Sequence, residues 1–146
     1  MSKAKGLHLY AFCAATLALT TACAGAPAPD PIALAAAQSQ CETLAEKYAQ
    51  VVRDAGEATA RYGSSHPGRR ELDRLQFSLR SELTVSGAVD VERTIARALG
   101  AELAEAKAER ALLEARYGKQ HMQIQATNAG MQALEAALEA ERSGRS

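Results

Sequence analysis

The sequence predicts an all-α protein: about four helices arranged as two elongated, coiled-coil hairpins, preceded by a signal peptide and a short linker. Three observations predict it. Apolar residues recur at alternating steps of three and four, the period of a supercoiled helix seam. A helix-breaking stretch occurs twice, as Arg61-Tyr62-Gly63-Ser64-Ser65-His66-Pro67 and as Arg116-Tyr117-Gly118-Lys119-Gln120-His121-Met122, 55 residues apart (116 − 61). No stretch shows the two-residue alternation of a half-buried strand.

Residues 1–22 read as an export signal. Lys3 and Lys5 supply the positive start, Ala11 to Leu19 a short apolar run, and Thr20-Thr21-Ala22-Cys23 the end. The run is shorter than the roughly 20 residues a membrane-spanning helix needs. Residues 23–29 contain Gly25-Ala26-Pro27-Ala28-Pro29, a semi-extended tether with no packing residues.

The first helix begins at Asp30-Pro31, an N-cap followed by proline at the first helical position. Its seam runs Leu34, Ala37, Cys41, Leu44, Tyr48, Val51, Ala55, Ala58, Tyr62, about four heptads. Gly56 within it costs about 1 kcal/mol against alanine and suits the close approach of a neighbour. At the first break Gly63 ends the helix, since a residue without Cβ enters left-handed backbone freely. Pro67 suits the first turn of the next helix, and Ser64, Ser65 or His66 caps it. The second helix carries Leu72, Leu75, Leu79 and Leu83; Phe77 lies off that stripe and either widens it or meets a partner.

Residues 30–83 form the first hairpin repeat, and 84–90 the connection, with Thr84-Val85-Ser86-Gly87 lacking helical periodicity. Ser86 or Asp90 caps the third helix. That helix carries Val91, Ile95, Leu99, Leu103, Ala106, Leu113 and Tyr117. At the second break Gly118 remains but Met122 replaces the proline, so a turn or a kink is expected there. Ile124, Met131, Leu134 and Leu138 complete the second repeat, 91–142, and 143–146 is a fraying tail. The repeat extends beyond the breaks: Leu44 matches Leu99, Ala60 matches Ala115, Leu79 matches Leu134 and Leu83 matches Leu138 at the same offset. This is the mark of a duplicated helix–break–helix unit.

Composition agrees with thin helix seams. The chain is 47% hydrophobic but only 4% aromatic, has no tryptophan, and takes much of its apolar share from alanine. Its 17 basic and 17 acidic residues balance. Removing residues 1–22 takes away Lys3 and Lys5, leaving a slight acidic excess and no basic patch to hold nucleic acid.

The chemistry-bearing residues are few. Cys41 sits on a heptad seam, as a small buried hydrophobe or, in an oxidising compartment, as an intermolecular disulfide. His66 and His121 recur with the repeat. No set of further ligands surrounds them at metal spacing, so capping or turn roles are expected, and no cofactor. Tyr62 and Tyr117 are expected to pack their own turns. No serine or cysteine nucleophile has a histidine beside it in a known arrangement, and no phosphate-binding loop occurs, so no enzyme is expected.

Two resemblances add to this. Thr21-Ala22-Cys23 resembles the lipobox of bacterial lipoproteins, with Thr20 where that motif usually has leucine. The resemblance implies a lipid-modified, palmitate-bearing Cys23 as the mature N-terminus. Ala24 after it leans towards the outer membrane under the enteric sorting rule. Ordinary cleavage at Ala22-Cys23-Ala24 is the alternative. Ala60 to Pro67, and less completely Ala115 to His121, resemble the periplasmic coiled-coil hairpins of polysaccharide co-polymerases, the chain-length determinant family. That resemblance implies an envelope hairpin packing beside copies of itself. The family's two transmembrane helices and frequent kinase are not read here, so the hairpin alone carries over.

The expected function is thus a non-enzymatic envelope lipoprotein in the periplasm, a coiled-coil interaction or spacer element. Its expected partners are the membrane, through the lipid, and copies of itself or an envelope protein, through the seams. The alternative is a soluble exported helical protein that binds a small ligand or metal.

Overall fold

A computed structural model describes residues 30–144. The export segment, Cys23 and the linker lie outside the described residues. Four helices follow one another: α1 (Pro31–Tyr62), α2 (Pro67–Val85), α3 (Val91–Tyr117) and α4 (Met122–Ser143). The protein is all-α, with no strand among the described residues.

Helix α1 starts as its sequence dictates. Asp30 Oδ1 accepts the Ile32 N–H at 3.0 Å, and Pro31 fills the first helical position, where no intrahelical bond is lost. Its 32 residues rise about 48 Å. The second helix runs two residues further than periodicity suggests. Thr84 and Val85 are helical because the Thr84 hydroxyl bonds the Ser81 carbonyl and Ser86 closes the last turn, its N–H and its hydroxyl both donating to the Leu83 carbonyl. The Ser86 hydroxyl also accepts the Ala88 N–H. Asp90 precedes α3 in left-handed backbone, φ 57°, and no side-chain cap bond forms there; Ser86 closes α2 instead.

Helix α1 packs against α2, α3 and α4, and α3 packs against α4. A single apolar cluster joins all four, with Cys41, Ala45, Tyr48 and Val52 of α1, Leu79 and Leu83 of α2, Ile95 and Leu99 of α3, and Leu134 of α4. The hairpins therefore share one core. This changes the buried face of α1. The heptad seam names Leu44 and Leu34, yet Leu44 is half-buried and Leu34 is 39% exposed, while Ala45, Ala49 and Val52 are buried. A helix with three neighbours must bury a band wider than one seam, and small side chains let those neighbours approach. Leu75 falls at the outer edge of α2 and is 46% exposed, because α2 rests on the bundle by a single stripe.

Helices α1 and α4 approach closely. A Cβ built on Gly56 would stand 2.6 Å from the Ala129 carbonyl oxygen and 2.9 Å from Gly130 Cα. A Cβ on Gly130 would stand 3.2 Å from the Arg53 carbonyl oxygen. The two glycines face each other across a close backbone-to-backbone contact, where a side chain at position 56 would clash and one at position 130 would be tight.

One polar cluster ties α1 to α3. Arg53 donates to Glu57 on its own helix at 3.0 Å, to Glu102 at 3.2 Å, and to Glu109. Partial burial works against its charge, but the hydrogen bonds it donates to Glu109, Glu57 and Glu102 prevail and hold the guanidinium above its ordinary pKa. Beside it, desolvation on a crowded helix face, with Glu57 one turn on, pushes the Asp54 carboxyl above the usual carboxylate range against the pull of Arg53 and Arg61. Arg97 reaches Glu42 at 2.8 Å. These pairs rise together along both helices, so α1 and α3 run parallel, with Glu42 and Arg97 separated by the repeat offset of 55.

Gly56 and Gly100 make a paired test. Gly56→Ala is expected to destabilise by about 1–2 kcal/mol, since overpacking against backbone outweighs the gain in helix propensity. Gly100→Ala has open space around the new methyl and is expected to stabilise by about 0.5–1 kcal/mol. Urea denaturation of both variants reads the difference.

Candidate functional site

The two breaks are one structure built twice. Gly63 takes φ 84°, ψ 162° and Gly118 takes φ 79°, ψ 161°. His66 and His121 follow at φ −64°, with ψ 138° and 137°. Each glycine N–H closes the preceding helix, on Thr59 O at 2.9 Å and on Glu114 O at 3.0 Å. Each histidine N–H returns to its glycine carbonyl at 3.3 Å.

The histidines are the N-caps of α2 and α4. His66 Nδ1 accepts the Gly68 N–H at 3.1 Å, and His121 Nδ1 accepts the Gln123 N–H at 3.3 Å. A ring nitrogen accepts such a bond only while it carries no proton. Each ring stacks on the tyrosine before its glycine: Tyr62 with His66 at 4.9 Å, Tyr117 with His121 at 4.7 Å between centroids. The second break is thus a full turn and not a kink, although Met122 stands where the first has Pro67. The His–Tyr stack and the cap bond form there without proline.

Both turns lie at the same end of the bundle. Arg61 and Tyr62 line one open cleft with His121, Met122 and Gln123, of about 290 Å³. Tyr62, Tyr117 and Met122 are exposed at 62%, 50% and 73%. The tyrosines end their seams as predicted but lie beyond the core, packed on their own turns. Arg61 pairs with Glu57, Arg69 with Asp73, and Lys119 with Glu114, while Arg116 lies over the Tyr117 ring at 5.7 Å. The cleft presents hydrogen-bond donors and apolar edges.

A second, longer groove runs between α1 and α3, about 710 Å³ in volume, floored by Ala49, Ala98 and Ala101 and edged by Glu46, Lys47 and Glu105. Among the described residues no three His, Cys, Asp or Glu side chains are grouped to hold a metal. Among the same residues no helix is long and apolar enough to cross a membrane.

Cys41 is 0% exposed and its thiol is free. A disulfide to a second copy requires that sulfur to leave the core. Phe77 of α2 is 78% exposed and stands outside the apolar cluster. The Arg53 cluster was beyond sequence reasoning, since Glu102 and Glu109 lie 49 and 56 residues away.

No protein-family model, no curated protein and no solved structure matches the chain.

The repeated turn predicts matched effects. The backbone at Gly63 and Gly118 is accessible to essentially no residue but glycine, at a cost of about 1–3 kcal/mol for others. Gly63→Ala and Gly118→Ala are each expected to destabilise by about 2 kcal/mol, within error of one another, by thermal unfolding. A large effect at one site alone would contradict the equivalence of the turns.

Proposed function

We propose that this chain is a non-enzymatic bacterial envelope lipoprotein, whose helix bundle is an interaction or spacer element held at the membrane by acyl groups on Cys23. The observation that carries the reading is Thr21-Ala22-Cys23, closing a Lys-led apolar run seven residues before the capped start of α1. Acyl chains contribute about 0.8 kcal/mol per buried CH₂, and stable attachment takes more than one chain, which a triacylated cysteine provides. The folded part lies in the periplasm, with Ala24 favouring the outer membrane. The resemblance of both turns to co-polymerase hairpins supports contacts along exposed helix faces, with copies of the chain or with an envelope protein.

The topology supports a spacer. Helix α1 starts at the tethered end, and the paired turns stand about 48 Å away at the far end of α1. A partner at a distance from the membrane meets the turns first.

A second reading is a soluble exported protein that binds a small ligand. The cleft between the turns favours it, with Arg61, Tyr62, His121 and Gln123 converging on one opening.

Intact mass of the mature protein from native membranes separates the two. The lipoprotein reading expects residues 23–146 plus acyl groups, with that species lost in Cys23→Ser. An unmodified chain starting after Ala22 or Ala24 would remove the anchor and leave the second reading.

A further inference from the structure

The end of the bundle opposite the turns carries aliphatic side chains that the fold does not use. Ile32, Val85 and Val89 are 78%, 78% and 60% exposed, and Leu34 is 39% exposed. Ile32 and Leu34 stand on the first turns of α1, which project beyond the core: burial begins only at Cys41. Val85 ends α2, and Val89 lies in the connection to α3, beside Gln38 of α1 at the edge of a shallow cleft. Two helices and one connection thus bring apolar side chains to one end.

From these residues and from the reach of the tether, we infer that this end seats on a lipid surface. The inference rests on the lipoprotein reading of Cys23. Six residues, and so seven chain steps, separate Cys23 from Asp30. Fully extended they span at most about 25 Å, so this end stays close to the bilayer while the turns stay out of reach. A tether that short raises the local concentration of lipid to the order of millimolar or more, so a contact too weak to recruit a free protein suffices to orient an anchored one.

Charge decides the kind of surface. Arg93 is paired with Asp90 at 3.0 Å and Arg142 with Glu139 at 3.8 Å, and Asp30 and Glu92 add carboxylates. With no basic excess, this end suits the interface of zwitterionic lipid and not an anionic headgroup cluster. Valine and isoleucine side chains then enter the boundary between headgroups and acyl chains, as apolar faces of interfacial helices do.

The test uses the full mature protein purified from membranes and placed in phosphatidylethanolamine–phosphatidylcholine vesicles with brominated acyl chains. A fluorophore is attached at Thr84→Cys, on the seated end, or at Gln120→Cys, on the turns; Cys41 is buried and stays unlabelled. The expected result is at least twofold stronger quenching at position 84 than at position 120. Ile32→Ser, Val85→Ser and Val89→Ser together abolish that difference while the protein still floats with the vesicles. Equal quenching at both positions in a floating protein overturns the inference and leaves the anchor standing. A label at position 84 that is already shielded in lipid-free solution assigns this end to a second copy, which also overturns it. The mass of the N-terminus reports the anchor separately. If it shows no acyl group, the tether on which the inference rests is gone and the inference falls with the anchor.

Discussion

Where α1 crosses α4, two glycines face each other and bring the helix backbones together without side chains between them. The separation of the two hairpins is set there. With backbones this close, Val52 and Ala55 of α1 are covered, and Leu134 of α4 enters the same apolar cluster as Cys41 and Ala45. A chain so rich in alanine cannot fill wide gaps, so its core depends on narrow ones. Close crossing turns short side chains into an adequate packing material. The Arg53 cluster then fixes the remaining freedom, since its contacts to Glu102 and Glu109 set α3 parallel to α1 in one register.

The parallel course of α1 and α3 explains why the turns meet. Two copies of a helix–break–helix unit placed side by side, with first helices parallel, bring both breaks to one end. The histidine caps and tyrosine stacks agree within 0.2 Å in hydrogen-bond length and ring separation, which are 3.1 and 3.3 Å, and 4.9 and 4.7 Å. The helices differ between the two units more than the turns do. Helix α1 has become the wall shared by three neighbours, whereas α2 keeps one buried stripe and leaves Phe77 outside. A polarity follows for the described bundle: an end at the start of α1 with exposed aliphatic residues, and an end at the turns with aromatic and basic ones.

How much of this the sequence showed differs by scale. The helices and their stops were legible, because Gly63, Gly118, Asp30 and Pro67 act through local backbone chemistry. The role of Gly56 in a close approach was legible too, since glycine inside a helix needs a reason. The width of the α1 face was not. A heptad gives the direction of one seam, and the number of neighbours is a property of the fold, so Ala45, Ala49 and Val52 escaped while Leu34 and Leu75 were misplaced. Asp90 looked like a cap because of its residue type, yet its left-handed backbone points the side chain away from that task. The cleft between the turns depends on two segments 55 residues apart meeting in space, which no local pattern records.

The central claim is that both turns occupy one end of a single four-helix body. Electron–electron distance measurement between spin labels on Ser64→Cys and Gln120→Cys tests it most directly. The account predicts a narrow distribution within about two helix diameters, some 20–25 Å. A distance beyond about 40 Å, or a broad spread, would show hairpins splayed apart and would contradict the shared core on which the polarity of the molecule depends.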